Sequence, residues 1–150
     1  MGRRSHSGVM RRVLHRSGPA SAALVAERYA DFGRWAEWSP QIRGVETEGE
    51  RLASGATGTV RGPLGVRVRF RVERVAGADW SWVVRLGPVR LRLAHGVRAL
   101  PGGGAVTRLA IEGPAPYVLG YEPLARLALA RLVRDLSHNP SARQRPGQGR

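Results

Sequence analysis

Histidine, cysteine and carboxylate placement bounds the chemistry this chain can do. His6, His15, His95 and His138 stand far apart, and cysteine is absent. No carboxylate pair is spaced to hold an ion, so neither a metal nor another cofactor is implied. There is no Gly-x-Ser-x-Gly elbow and no phosphate loop, and Gly102-Gly103-Gly104 reads as a turn between strands. Asp31 and Glu112 are single acids suited to a helix cap and a surface charge. One ring stands out. His95 falls in period-two phase with Val89, Leu91, Leu93 and Val97, which sets a titratable group among hydrocarbon. A neutral imidazole there can orient a ligand carbonyl, act as a general base, or be a hydrogen-bonded core residue.

The elements that position this ring are written in alternating code. Val66-Arg67-Val68-Arg69-Phe70-Arg71-Val72, Trp80-Ser81-Trp82-Val83-Val84-Arg85-Leu86 and Val89 to Val97 each alternate apolar with polar residues, as half-buried antiparallel strands do. Turn signals at Ala76-Gly77-Ala78-Asp79, Gly87-Pro88 and Pro101 to Gly104 let neighbours pair as a meander that ends with Ala105 to Glu112. Upstream, Val9 to Leu14 reads as a first strand, Ala20 to Ala30 as a helix and Asp31 to Glu37 as a second short helical turn. Ile42 to Glu50 and Ala56 to Arg61 read as two further strands. The chain closes with a regular amphipathic helix. Leu124, Ala125, Ala128, Leu129, Leu132, Val133 and Leu136 keep helical spacing opposite Arg126, Arg134 and Ser137, and the stripe extends back to Tyr121 and Tyr117. Pro123 is its first position or a kink. The pattern predicts an α+β domain, a curved antiparallel sheet of about seven strands wrapped around a long C-terminal helix.

The chain of 150 residues suits one domain at 9–137, with a disordered flank at 1–8 and a disordered basic tail at 138–150. Met10 serves as well as Met1 as a start. No apolar run reaches membrane-spanning length and no signal-peptide core follows Arg3-Arg4, which makes the cytoplasm the expected compartment. All 25 basic residues are arginine, as GC-rich codon usage favours. Five lie in the flanks, so 20 arginines against 11 acids leave the remainder at net +9. Arg67, Arg69, Arg71, Arg85, Arg90, Arg92 and Arg108 share the outer strand phase. That face is either a plain solvated surface or a weak, sequence-blind site for an anionic surface or nucleic acid.

Several segments carry a resemblance when taken together and in order. They are Ala30-Asp31-Phe32-Gly33-Arg34-Trp35-Ala36-Glu37-Trp38-Ser39-Pro40, Gly55-Ala-Thr-Gly58, His95, Gly103-Gly104-Ala-Val-Thr107, and the terminal helix after Gly113-Pro114. Over about residues 9–137 the chain resembles the START-like, or SRPBCC, superfamily of helix-grip proteins, and within it the bacterial polyketide cyclase/dehydrase and lipid-transport group. The resemblance implies a hydrophobic cavity between sheet and terminal helix for a lipid, polyketide-like or aromatic molecule. Members range from carriers to cyclases, so it names no reaction.

Within that frame the expected wall is Trp35, Trp38, Phe70, Trp82, Leu91, Leu93, His95, Leu109 and Ile111, with Tyr117, Tyr121 and Leu124 from the helix. Trp35 and Trp38 sit three apart and share a face, as a packing lid or a stacking surface. Trp82 is better placed for a ligand than Trp80 at the hairpin end. Two functions stay open: a non-catalytic carrier of a hydrophobic small molecule or lipid, and a cyclase or dehydratase in which His95 moves a proton.

Overall fold

The alternating code builds the sheet in the computed structural model, which describes residues 8–134. Strands β1 (Val9–Gly18), β2 (Gly44–Thr47), β3 (Thr57–Arg61), β4 (Arg67–Ala76), β5 (Asp79–Leu86), β6 (Val89–Ala99) and β7 (Ala105–Pro114) form one antiparallel sheet in the order β1-β7-β6-β5-β4-β3-β2. Thus β2 to β7 are a meander, and β1 closes on β7. Register aligns the apolar phase across strands. Val72 faces Trp82, Trp82 faces Leu93 and Leu93 faces Ile111, all on the inner side. A register shift between Val72 and Arg74 sets one extra residue into β4. That bulge keeps both Val72 and Val75 directed at the core, which strict alternation would forbid.

Between β1 and β2 lie α1 (Ala22–Ala30), a 3-10 turn at Phe32–Arg34 and α2 (Trp35–Trp38). Helix α1 starts later than Ala20 because Ser21 is its cap, its hydroxyl accepting from the Leu24 N–H at 3.1 Å. Its buried face is Val25, Arg28 and Tyr29, spaced i, i+3, i+4. Asp31 accepts from the Gly33 N–H at 2.9 Å and so turns the chain toward the tryptophan segment.

The last helix, α3 (Ala115–Leu132), begins directly after Pro114 rather than at Pro123, which lies inside it. Ala125, Ala128, Leu129, Leu132 and Val133 of the predicted stripe are buried and Tyr121 packs on the core, so the departure is confined to Leu124 and Tyr117. Val118, Glu122, Ala125, Ala128, Leu129 and Leu132 are buried, while Tyr117 and Leu124 are 49% and 40% exposed. An ion pair that periodicity alone does not reveal lies at the edge of this face. Glu122 faces the sheet, where Arg12 of β1 donates to both its oxygens at 3.0 and 3.1 Å, and Arg126 donates twice more to one of them, at 3.1 and 2.6 Å. These guanidinium groups hold the Glu122 carboxyl below the usual carboxylate range. Leu136 and Ser137 lie outside the described residues, as do the expected flanks apart from Gly8, whose carbonyl accepts from the Ala115 N–H at 2.8 Å.

The end of α3 is clamped. The Ala20 N–H donates to the Val133 carbonyl at 2.9 Å, and buried Arg28 donates to the carbonyls of Leu132 and Arg134 at 2.6 and 2.7 Å. A cation at a helix C-terminus also meets the negative end of its dipole. Gly18 allows the approach, since a Cβ there would stand 2.6 Å from the Val133 carbonyl oxygen. Helix α3 therefore packs chiefly on β1 and β7. Replacing Arg28 with Met strips these carbonyls of a charged donor, and we expect a loss of about 3 kcal/mol in unfolding free energy. Urea titration of the variant measures it, and a midpoint equal to wild type would dismiss the clamp.

Candidate functional site

Because α3 lies over the β1–β7 side, the inner surface of β3 to β6 is not fully covered. The gap is a cavity of about 370 Å³ bounded by this surface, α2 and the first half of α3. Its lining is mostly hydrocarbon. Nine of the twelve residues expected at the wall are brought together there: Trp35 and Trp38 from α2, Trp82, Leu91, Leu93 and His95 from the sheet, and Tyr117, Tyr121 and Leu124 from α3. Tyr117 and Leu124 are half-exposed because they stand at the mouth.

Phe70, Leu109 and Ile111 do not line it. Phe70 is sealed by rings, with Phe32, Trp35 and Trp82 at centroid distances of 5.8, 6.0 and 5.4 Å. Leu109 and Ile111 share the inner phase, but they sit on β7, under the docked helix, at 2% and 0% exposure. Sequence reading missed other lining residues. Val60, Val68 and Val84 are in phase with Phe70 and Trp82, so the alternation rule was enough to find them. Ser39 and Gln41 come from a loop without periodicity and carried no such signal, and Ile42, read as the start of a strand to Glu50, lies in that loop because the strand spans only Gly44–Thr47.

An aromatic cluster forms the inner end. Trp35 and Trp38 are fixed by their indole N–H groups, which donate to the carbonyls of Tyr29 and Arg28 at 2.9 and 3.1 Å in the last turn of α1. His95 stacks on Trp80 at 4.3 Å with planes 7° apart, and the Tyr29 ring meets it edge-on at 5.1 Å. Polar atoms in this cluster are short of partners. Both imidazole nitrogens of His95, the Tyr29 hydroxyl and the Nε1 atoms of Trp80 and Trp82 are buried without a hydrogen bond from the described residues. Buried polar groups ordinarily find partners, so this cluster departs from the usual rule; of its members only His95 and Trp82 also line the cavity. At the other end, Gln41 donates to the Tyr121 hydroxyl at 3.1 Å and braces the α2–β2 loop against α3.

Electrostatics follow from burial. Desolvation pushes the His95 pKa down from 6.5 to about 3, so the ring is neutral at pH 7. Burial raises the Tyr29 phenol, and it pushes Tyr121 up to about 12 against the opposing hydrogen bond from Gln41. Both tyrosines are protonated at neutral pH. The site thus offers neutral donors and acceptors, without a formal charge at its inner end.

A family model for polyketide cyclase / dehydrase and lipid transport matches residues 14–139. The chain belongs to this family. Among solved structures it is similar to that of Ara h 8.0201, with a TM-score of 0.68 over 83% of this chain and 95% of that one. At 11% identity that likeness speaks for the fold alone, the helix-grip arrangement of sheet, short helices and long C-terminal helix. A comparison with curated proteins found no match. No described helix is long and apolar enough to cross a membrane.

The depressed His95 pKa ties the site to stability. The unfolded chain takes up this proton near pH 6.5 while the folded chain refuses it until about pH 3, so the contribution is complete above pH 6.5 and is lost as pH falls through that window. We expect wild-type unfolding free energy to drop by up to about 1.4 kcal/mol per unit between pH 6.5 and 5. His95→Phe, which keeps a ring against Trp80, should flatten this stretch in melts at several pH values. Equal slopes for the two proteins would show that His95 is not buried as described.

Proposed function

We propose that this protein binds a hydrophobic small molecule or lipid, polyketide-like or aromatic, that carries at least one hydrogen-bonding group. The observation that carries this reading is an apolar cavity of about 370 Å³ walled by the inner face of the sheet, α2 and α3, with the neutral His95 ring in its lining. The volume suits a compact ligand, since pockets for small molecules run from roughly 300 Å³ upward. The apolar body of the guest would rest against Leu91, Leu93, Trp82 and Tyr117. A polar group of the guest would sit near Gln41 and Tyr121, and would reach the His95 nitrogens, covered in the empty cavity, only as neighbouring rings shift. Family membership supports the same ligand class.

The acid–base alternative, a cyclase or dehydratase with His95 moving the proton, has weaker support. Proton transfer at neutral pH is best served by a pKa near 7, and a ring held near 3 is a feeble base. Its chemistry favours orienting a carbonyl or hydroxyl. The reading is therefore a carrier or sensor of a hydrophobic ligand.

Gly120 gives a clean test. It lines the cavity, and a Cβ built on it meets no atom within 4 Å. Gly120→Leu should fill the space from the helix side without disturbing the core, and weaken binding of the neutral fluorophore N-phenyl-1-naphthylamine by about tenfold or more. Gly120→Ala should retain binding and raise unfolding free energy by about 0.5–1 kcal/mol, because glycine is costly in a helix. Native mass spectrometry of protein purified from cell extract completes the experiment. No bound species, together with no fluorophore binding by wild type, would refute a ligand cavity.

A further inference from the structure

The outer face of the sheet holds a feature that the cavity does not use. Arg69 on β4 stands directly opposite Arg85 on β5, and Arg85 directly opposite Arg90 on β6. Arg71 follows Arg69 two residues along the same phase. Residues opposite one another in an antiparallel pair hold their Cβ atoms within roughly 5 Å, and like charges so placed repel. This is a cross-strand ladder of three cations with a fourth beside it, all exposed.

Carboxylates are present on this face, but they serve other arginines. Glu46 pairs with Arg61 and Arg67, Glu73 with Arg92 at 2.9 Å and Glu112 with Arg11 at 3.6 Å. No described carboxylate forms an ion pair with Arg69, Arg71, Arg85 or Arg90. The neutralised pairs surround the ladder and confine its field to a patch two strand spacings wide, roughly 10 Å. The patch lies in an open groove of about 800 Å³, whose wall adds Thr57, opposite Arg71, and Thr59, opposite Arg69. Glu73 also reaches this wall, already committed to Arg92.

The geometry points to a second binding site here, for the oligophosphate group of a soluble ligand. Guanidinium forks match phosphate oxygens in paired hydrogen bonds, and threonine hydroxyls supply further donors. Several adjacent negative charges would convert the mutual repulsion of the ladder into shared attraction. Small size favours an oligophosphate over a membrane plane or a nucleic-acid strand. Arginines at the far end of the face that no described carboxylate pairs, Arg74, Arg98 and Arg108, line a separate groove, and the Glu73–Arg92 and Glu112–Arg11 pairs interrupt the path to it.

Isothermal titration of the full chain with inorganic tripolyphosphate at low salt tests this site independently of the cavity. Arg69→Gln/Arg85→Gln/Arg90→Gln should weaken binding by about tenfold or more, with N-phenyl-1-naphthylamine binding unchanged. Arg74→Gln/Arg98→Gln/Arg108→Gln removes the same charge from the other groove and should change affinity less than about threefold. A melting series gives a second readout. The single variant Arg85→Gln should melt higher than wild type without anion, and tripolyphosphate should raise the wild-type midpoint more than the variant's. Equal weakening by both triples would reduce the effect to overall charge and overturn the proposal. So would failure of wild type to bind tripolyphosphate while it binds an oligonucleotide or vesicles containing a phosphoinositide.

Discussion

Off-centre docking of the terminal helix is the constraint on which the site depends. A helix laid over the middle of the sheet would bury the inner phase of β5 and β6 and leave a solid core. Here α3 is drawn to the β1–β7 side by polar anchors at two levels. Arg12 of β1 holds Glu122 near the middle of the helix, and Arg28 with the Ala20 N–H holds its final carbonyls. The apolar stripe Val118, Ala125, Leu129 and Leu132 then closes against the sheet along that line. Hydrophobic burial supplies most of the driving force but is non-directional, so the directed hydrogen bonds to charged groups select where the helix lands.

The cavity left by this docking is chemically mixed, and the mixture has a cost. Each buried polar atom without a partner costs about 1–3 kcal/mol relative to a satisfied one, and the aromatic cluster around His95 holds several. A core selected for stability alone would place Phe or Leu at these positions. Stacking of His95 on Trp80 and edge contacts from Tyr29 recover part of the loss through ring packing. The pinned indoles of Trp35 and Trp38 give the cavity one stiff wall, while half-exposed Tyr117 and Leu124 give it an open side. Rigidity at one end and access at the other suit a site that admits a guest and then orients it.

The two sheet faces obey opposite physics through one alternation. Inward residues gain by leaving water, and the outward residues gain only where charges compensate. Glu46, Glu73 and Glu112 compensate some arginines, and the uneven distribution leaves uncompensated charge in two separate grooves. Arginine in place of lysine throughout the chain can follow codon usage, yet pairing is decided by register. The Arg69–Arg85–Arg90 row exists because two hairpins align those positions.

Period and turn chemistry in the sequence determined the seven strands, their meander, the phase of His95 and the segregation of arginine to one side. These depend on local alternation, which any antiparallel pairing must respect. Most of the cavity wall was legible for the same reason, and residues overlooked in the strands, such as Val68 and Val84, obey that rule too. Tertiary structure alone decided three things. It fixed the edge of the buried helix face, setting Glu122 against the sheet, where distant Arg12 pairs with it, and leaving Tyr117 and Leu124 half-exposed. It removed Phe70, Leu109 and Ile111 from the wall, because rings and the docked helix cover them. It also left His95 without a hydrogen-bond partner among the described residues, since a partner must come from elements far away in sequence, and no spacing rule records its absence.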